Sequence, residues 1–416
     1  MPTGSNPDLA SSLKQQQAPG NRALGSVHDP RPAAAVTIEG VEREQQILEA
    51  AHEAGFDLAG LAPFHAPPDL ERYRAWIEAG HHASMGWLAE VQPLLEDPRR
   101  FAPEGRTLLA VGVGHARAGV ELEGGGRIAR YAAGRDYHNW LRKRLRKLAR
   151  TLVERGLVGG ARSLVDDGPL MERSHAEEAG LGFASKAANL LHPRFGPWFF
   201  LGELVLDVEL SPTAPPLPAG SCGTCTACLD ACPTDALIAP GQLDAGRCIS
   251  WATIEAREAL PRELRAGLAD WAFGCDVCSE VCPWGDGVPT QEERFPTSAA
   301  VEGSTLLSWL SLDPEPGAFE ARFEGSPLRR PGRAGLATNA ALVLGNRPQD
   351  GALPALRVVL EEDLSPRVRE AAAWSLAHGY GADAGARAAV ERAAARDSDP
   401  EAARGMRASL DETARG

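Results

Sequence analysis

Residues 222–248 read CGTCTACLDACPTDALIAPGQLDAGRC and residues 275–285 read CDVCSEVCPWG. Together they hold all 8 cysteines of the 416-residue chain: Cys222, Cys225, Cys228, Cys232, Cys248, Cys275, Cys278 and Cys282. The first four are spaced C-x2-C-x2-C-x3-C-P. The last three are spaced C-x2-C-x3-C-P, a second run of the same kind without its first cysteine. Cys248, from upstream, is the one left to stand in for it.

Three thiolates spaced two residues apart can wrap three irons of one cubane while the loop backbone folds around the inorganic sulfides. In the bacterial ferredoxin run the fourth cysteine, just before a proline, ligates the other cluster. Pseudo-symmetry therefore predicts two [4Fe–4S] clusters. One takes Cys222, Cys225, Cys228 and Cys282, and the other takes Cys232, Cys248, Cys275 and Cys278. Zinc sites would also use thiolates, but zinc ribbons favour separated C-x2-C pairs. Disulfides suit small secreted chains, and this chain is large.

Length and composition bound the rest. A chain of 416 residues accommodates two to four domains. Its 44% hydrophobic and 24% charged content is ordinary for a globular protein. No apolar run approaches the ~18–20 residues of a membrane-spanning helix. The first residues show neither a basic-then-apolar leader nor twin arginines. With reduced cysteines, the expectation is a cytoplasmic, monomeric protein without membrane attachment. The net charge of −13 excludes generic nucleic-acid affinity, so any nucleic-acid partner must be met by local basic patches.

Residues 1–37 are polar and rich in Pro, Gly, Ser and Gln, and are expected to be a disordered tail. An α/β segment follows over 38–210. Val41 to Ala54 has helical spacing and stops at Gly55. Phe56 to Ala62 reads as a strand, Leu70 to Ala79 as a helix, and Leu108 to Val113 as a buried strand. Tyr137 to Arg155 is a basic helix with Arg142, Lys143, Arg144, Arg146, Lys147 and Arg150 around a stripe of Leu141, Leu145 and Leu148. Its cations either form a solvated face or meet phosphates. Asp136-Tyr137-His138 is half of a cobalamin-binding signature, but Leu141 stands where that signature needs Gly. His138 is therefore not expected to ligate cobalt.

Ser163-Leu164-Val165 reads as a strand running into Asp166, Asp167 and a Gly168-Pro169 turn. Asp166 is either an acid whose pKa is raised by burial so that it can deliver a proton, or the cap of a helix starting near Leu170. Trp198 to Leu201 and Leu204 to Leu206 look like two strands meeting at Gly202. Their aromatics suit a core, or the wall that a large flat cofactor needs. Ser211 to Ser221 is a Pro-rich linker. The cysteine module is expected over 211–292 and an Ala/Leu-rich helical array over 293–416. Within the array, Pro354 to Gly379 resembles a HEAT-type helical pair. Arg329, Arg330 and Arg333 stand ahead of it.

The order of these parts resembles the epoxyqueuosine reductases, cobalamin-dependent iron–sulfur enzymes that complete queuosine in tRNA. The resemblance covers roughly residues 40 to 400. It rests on GRDYHNWLRKRL, on VDDGP followed by ERSHAEEAGLGFASK, on RFGPWFFLGE, on the full cysteine pattern with RCISW, and on the Arg-rich entry to the repeat. It implies an N-terminal α/β domain that binds cobalamin (vitamin B12) without a protein ligand to cobalt. It implies two clusters fed by a low-potential electron donor that the sequence does not identify. The substrate would be an epoxide on the modified wobble base, opened by two electrons and two protons with loss of water. By the same matching Asp166 is the proton donor, and Asp136, Leu190, Leu201 and Ser250 lie with it near the corrin. The basic helix and the HEAT-like repeat would grip tRNA phosphates. The chain departs from the family pattern at Asp167, where Thr is usual, at Ala187, where Asn is usual, and at Leu95, where Arg is common. Two other classes fit parts of the pattern. One is a dehalogenase-like corrinoid reductase, which usually has a twin-arginine leader and no repeat. The other is a non-catalytic electron-transfer or corrinoid-handling protein.

Overall fold

The computed structural model describes residues 26–28, 40–166, 168–213 and 220–413. The chain divides into two units. The first comprises residues 1–113, 138–184 and 200–220, and the second 114–137, 185–199 and 221–416.

A five-stranded sheet organises the first unit. Its strands are β1 (Ser26–His28), β2 (Leu58–Pro63), β3 (Thr107–Gly114), β4 (Gly160–Leu164) and β5 (Phe199–Leu206), in the order β1-β4-β5-β3-β2. The β1–β4, β4–β5 and β2–β3 ladders are antiparallel. All eight residues of β3 are buried, which is why its sequence TLLAVGVG is continuously apolar rather than alternating. Phe64, Ala102, Leu108, Leu164 and Val205 form a core cluster beside it. The helices are α1 (Gly40–Glu53), α2 (Leu70–Glu78), α3 (Trp87–Glu96), α4 (Tyr137–Glu154) and α5 (Glu172–Glu178). In α4 the buried positions are Leu141, Leu145, Leu148, Ala149 and Leu152, one stripe at helical spacing.

Three expectations change here. β5 is one strand, not two meeting at Gly202. A Cβ on Gly202 would lie 3.0 Å from Leu145 Cδ1, so the glycine makes room for the α4 stripe instead of turning the chain. Within the tail expected to be disordered, Ser26–His28 is the edge strand β1, paired with Gly160 to Arg162; the rest of residues 1–37 lies outside the described residues. The start of the expected linker is anchored, because Thr213 Oγ1 accepts the Leu61 amide at 2.8 Å and donates to the Ala179 carbonyl at 3.0 Å. Residues 214–219 lie outside the described residues.

The second unit carries the cysteines and the helical array. α6 (Ala227–Asp230), α7 (Ile249–Ile254), α8 (Arg262–Arg265) and α9 (Val277–Glu280) belong to the cysteine segment. Trp271–Phe273 pairs in parallel with Arg127–Ile128, which pairs antiparallel with Val120–Glu121. Beyond them run α10 (Leu306–Leu310), α11 (Ala318–Arg322), α12 (Gly332–Asn346), α13 (Ala352–Glu362), α14 (Pro366–Tyr380), α15 (Ala384–Arg396) and α16 (Pro400–Thr413). Every residue of α12 from Gly335 to Gly345 is buried, as expected of the central helix in an all-α layer. α12 and α14 approach backbone to backbone: a Cβ on Gly379 would lie 2.3 Å from the Gly345 carbonyl oxygen.

One core runs from Ile128, Ile249 and Phe273 through Trp309 and Leu336 to Leu356, Val390 and Met406. The segments expected as 211–292 and 293–416 therefore share their apolar interior. Asn339 of α12 links them with hydrogen bonds from Nδ2 to the Thr253 and Ala272 carbonyls, at 2.8 and 3.0 Å. Residues 114–137 and 185–199, from within the expected 38–210 segment, belong to this unit as well.

Candidate active site

The two cysteine runs fold alike. In the first, Leu229 N–H and Asp230 N–H donate to the Thr226 carbonyl at 2.9 and 3.0 Å. In the second, Ser279 N–H and Glu280 N–H donate to the Asp276 carbonyl at 2.9 and 2.8 Å. Ala231 N–H to the Ala227 carbonyl is matched by Val281 N–H to the Val277 carbonyl, at 3.0 and 3.1 Å. Each run is thus a loop closed by one helical turn, α6 or α9. Carried over by the same correspondence, the missing first cysteine of the second run falls on Ala272, fully buried in the Trp271–Phe273 strand. Cys248, the cysteine expected to stand in for it, lies at the start of α7.

All eight cysteines are free. Burial raises the Cys228 and Cys282 thiols, and each is raised further by Cys222. Burial also raises Cys248, which feels Cys232. Burial raises Cys275 strongly, with Cys278 and Cys248 adding to it, and pushes Cys278 up to about 12, with Cys248 the next cause. These influences run mostly within two neighbourhoods, the sets of four expected from the spacing, with one crossing from Cys228 to Cys278. Among the described residues no three His, Cys, Asp or Glu side chains converge to hold a single ion. Amides point at sulfur in both neighbourhoods: Ala236 N–H to Cys232 Sγ at 3.2 Å and Lys186 N–H to Cys222 Sγ at 3.5 Å.

The second run is bordered by a charge network. Arg127 Nη2 donates to both Glu280 carboxylate oxygens at 2.6 and 2.7 Å, and Arg130 Nη2 reaches Glu280 Oε1 at 3.2 Å. Asp276 Oδ2 accepts the Arg130 amide at 2.7 Å, and burial raises its carboxyl to about 6.

The first unit gathers acids at the end of β4. Asp166 has φ +53°, a left-handed backbone that non-glycine residues adopt only where surrounding structure holds it. His138 Nε2 lies 3.3 Å from Asp166 Oδ2. The Asp166 N–H donates to Glu172 Oε1 at 2.5 Å. Asp166 is therefore not the cap of the following helix; α5 begins at Glu172 after Met171. Its side chain is 62% exposed within this structure, so the burial expected at Asp166 falls instead on its neighbours. Glu203 of β5, opposite Leu164 in the ladder, is 1% exposed, and neither carboxylate oxygen has a hydrogen-bond partner among the described residues. Burial raises it to about 8. Burial also raises Glu172 well above the carboxylate range, with Glu203 and Asp166 adding repulsion. Neither acid is among the residues that the sequence singles out. The available signal was a Glu inside the otherwise apolar strand FFLGELVL.

The other residues expected near a corrin are divided between the units. Leu201 lies in the first and is the one half-open position on the otherwise buried β5. Asp136, Leu190 and Ser250 lie in the second, with all eight cysteines. The Asp136 amide donates to the Gly325 carbonyl at 2.7 Å, Leu190 is buried, and Ser250 is on α7 two residues after Cys248. Leu95 is buried in α3. Ala187 donates its amide to Ser185 Oγ at 3.0 Å. Asp167 lies outside the described residues. On α4, Lys143, Arg146, Lys147 and Arg150 are exposed. Ahead of the helical array, Arg330 is paired with Glu255 at 2.9 Å, and Arg333 is bidentate to Asp363 at 2.8 and 2.9 Å. These two arginines hold the fold.

Residues 221–285 match the family model of a 4Fe-4S double cluster binding domain. Two cubane-binding neighbourhoods in one unit, and an acid group in the other, define an iron–sulfur oxidoreductase. Residues 96–167 match the model described as Epoxyqueuosine reductase QueG. The epoxyqueuosine reductase of Xanthomonas campestris pv. campestris is 38% identical over 344 residues, 80% of this chain and 96% of the relative. That of Escherichia coli is 35% identical over 341 residues, 80% of this chain and 88% of the relative. The crystal structure of an epoxyqueuosine reductase with an epoxyqueuosine-modified tRNA stem loop superposes with a TM-score of 0.75 at 27% identity, covering 88% of this chain and 97% of that one. A Bacillus subtilis structure, with its catalytic aspartate loop swung out of the active site, gives 0.77 at 26% identity over 88% and 98%. The chain belongs to the epoxyqueuosine reductase family.

Proposed function

We propose that the protein reduces epoxyqueuosine to queuosine at the wobble position of tRNA, the last step in forming that base. The observation that carries this reading is the double 4Fe-4S cluster segment at residues 221–285 in a chain related along most of its length to epoxyqueuosine reductases. The reaction takes an epoxide, two electrons and two protons to an alkene and water. Cys222, Cys225, Cys228 and Cys282 would hold one cluster, and Cys232, Cys248, Cys275 and Cys278 the other.

Asp166 is the acid that protonates the departing oxygen. Three features support that role: its strand-end position, its exposed carboxylate, and a backbone held in the left-handed region by Glu172. A positioned acid of this kind contributes about 10²–10⁴ in rate. His138 orients it. The turnover needs a second proton, and Glu172 and Glu203 are acids kept toward their neutral forms by burial.

The family implies cobalamin, and the residues present suit it. Leu201 is an apolar side chain left accessible on a buried strand, as a flat ring requires. His138 is engaged with Asp166, consistent with cobalt receiving no protein ligand. Cobalamin, when bound, would supply a cobalt centre able to act as a two-electron nucleophile. Asp136, Leu190, Leu201 and Ser250 would line its site and help exclude water.

The exposed cations of α4 would meet tRNA phosphates, reconciling a net charge of −13 with an anionic substrate. Residues 293–416 are read as a HEAT-like repeat that also contacts tRNA phosphates. The protein would act in the cytoplasm as a monomer, taking electrons from a low-potential donor. The test is anaerobic reconstitution with iron, sulfide and cobalamin, followed by nucleoside analysis of tRNA from a strain lacking the activity. Queuosine should form with the wild type, and Asp166→Asn should lose the activity while keeping its iron.

A further inference from the structure

Lys186 occupies a place that the reaction described above does not use. Its ammonium donates to two carbonyls of the first cysteine loop, those of Gly223 and Cys225, both at 2.8 Å. Its own amide points at Cys222 Sγ, 3.5 Å away. The side chain has four rotatable carbons and would ordinarily wander, but here both of its ends are fixed. The Lys186 carbonyl accepts the Gly241 amide at 2.9 Å. Ser185 N–H donates to the Asn189 carbonyl at 2.9 Å, closing a tight turn around it, and Asn189 Nδ2 reaches Ser279 Oγ in the second run at 3.4 Å. Residues 185–189 are thus a strap fastened to both cysteine runs, with one cation on the first.

The two runs differ in charge. Beside the second, the Arg127 and Arg130 guanidiniums both pair with Glu280, and Asp276 accepts the Arg130 backbone amide. Beside the first, Lys186 is hydrogen-bonded only to carbonyls and makes no ion pair among the described residues. A cubane with its four thiolates becomes more negative when it takes an electron. Amides reach sulfur in both neighbourhoods and do not distinguish them, but an unanswered cation favours the reduced form of the cluster beside it, charge being among the factors that set cluster potentials.

We propose that Lys186 is a redox-tuning residue. Its ammonium holds the cluster on Cys222, Cys225, Cys228 and Cys282 at a higher reduction potential than the cluster on Cys232, Cys248, Cys275 and Cys278. This rests on the cluster assignment given above. It makes the first cluster the electron-accepting end of the pair and orders the flow between the two.

The experiment is a redox titration of the anaerobically reconstituted full chain, followed by electron paramagnetic resonance, with iron and sulfide counted in each sample. Wild type is compared with Lys186→Arg, Lys186→Gln and Lys186→Met. Glutamine keeps a donor for the carbonyls and removes the charge, so it decides the question even where the methionine variant holds its iron poorly. The expected result is two midpoints in the wild type. In Lys186→Gln the higher one should fall by about 59 mV or more, a tenfold change for a one-electron couple. The other midpoint should not move, and Lys186→Arg should match the wild type. Two clusters whose midpoints ignore Lys186→Gln, or an arginine variant shifted as far as glutamine, overturn this inference alone. A wild type without cubane signals overturns the cluster assignment as well.

Discussion

Glu172 accepts the backbone amide of Asp166 at 2.5 Å, so the residue at the end of β4 is held from behind while its own carboxylate remains exposed. Replacing Asp166 by Asn keeps the backbone donor and its Glu172 partner and removes only the transferable proton. The expected loss is about 10²–10⁴ in turnover rate, with tRNA affinity and iron content unchanged. Single-turnover assays beside binding measurements separate the two. Glu172→Ala, by contrast, removes the acceptor of the Asp166 amide and should weaken the hold on the loop.

Glu203 links stability to pH. Its carboxyl is raised from 4.5 to about 8 by burial. Below pH 4.5 both the folded and unfolded chains hold the proton. Between 4.5 and about 8 the unfolded chain releases it and the folded protein keeps it, so stability falls as pH rises through this window, and levels off above it. The slope is about 1.4 kcal/mol per pH unit. Glu203→Gln removes this dependence. Denaturant midpoints of variant and wild type should diverge with rising pH, the variant becoming the more stable. Parallel curves would show that Glu203 does not hold a proton.

Arg265 and Glu370 form a buried pair at 2.8 Å, their side chains 3% and 5% exposed. Arg265 also donates to the Leu260 carbonyl at 3.1 and 2.9 Å. Glu370→Ala leaves a buried guanidinium without its carboxylate and should cost about 3–5 kcal/mol. Denaturant unfolding of the apo protein measures it.

Gly379 of α14 packs where a Cβ would meet the Gly345 carbonyl of α12 at 2.3 Å, with backbone on both sides. Gly379→Ala must push the two helices apart, at about 1–3 kcal/mol. Gly351→Ala, by contrast, would be strained by its φ of +78° rather than by collision. Comparing both with wild type in thermal unfolding separates the two causes.

Substituting Lys143, Arg146, Lys147 and Arg150 by Ala should weaken tRNA binding and flatten its salt dependence. Every phosphate left without its cation lowers the steepness of log K against log salt by about 0.7–0.9. An unchanged slope would mean that this exposed face of α4 is only solvated.

What could be read from the chain depended on how far apart the deciding residues lie. The cysteine spacing is local chemistry, and β3 announces its burial in its own eight residues. Gly202 misled because its reason is Leu145, which reaches it from another element. Glu203 was overlooked because Glu172, the acid it repels, comes from a different part of the chain. The cysteine segment and the helical array looked separable because their textures differ. Asn339, bonded to Thr253 and Ala272, shows that they share one interior. The strand β1 lies in a polar stretch whose edge position only the pairing with β4 defines.

The most direct test of the central claim is the nucleoside composition of epoxyqueuosine-containing tRNA after incubation with the anaerobically reconstituted protein, cobalamin and a low-potential reductant. The account predicts that epoxyqueuosine disappears and queuosine appears in equal amount, and that this conversion depends on iron, on cobalamin and on Asp166. Unchanged epoxyqueuosine with a protein carrying both clusters and cobalamin would contradict it.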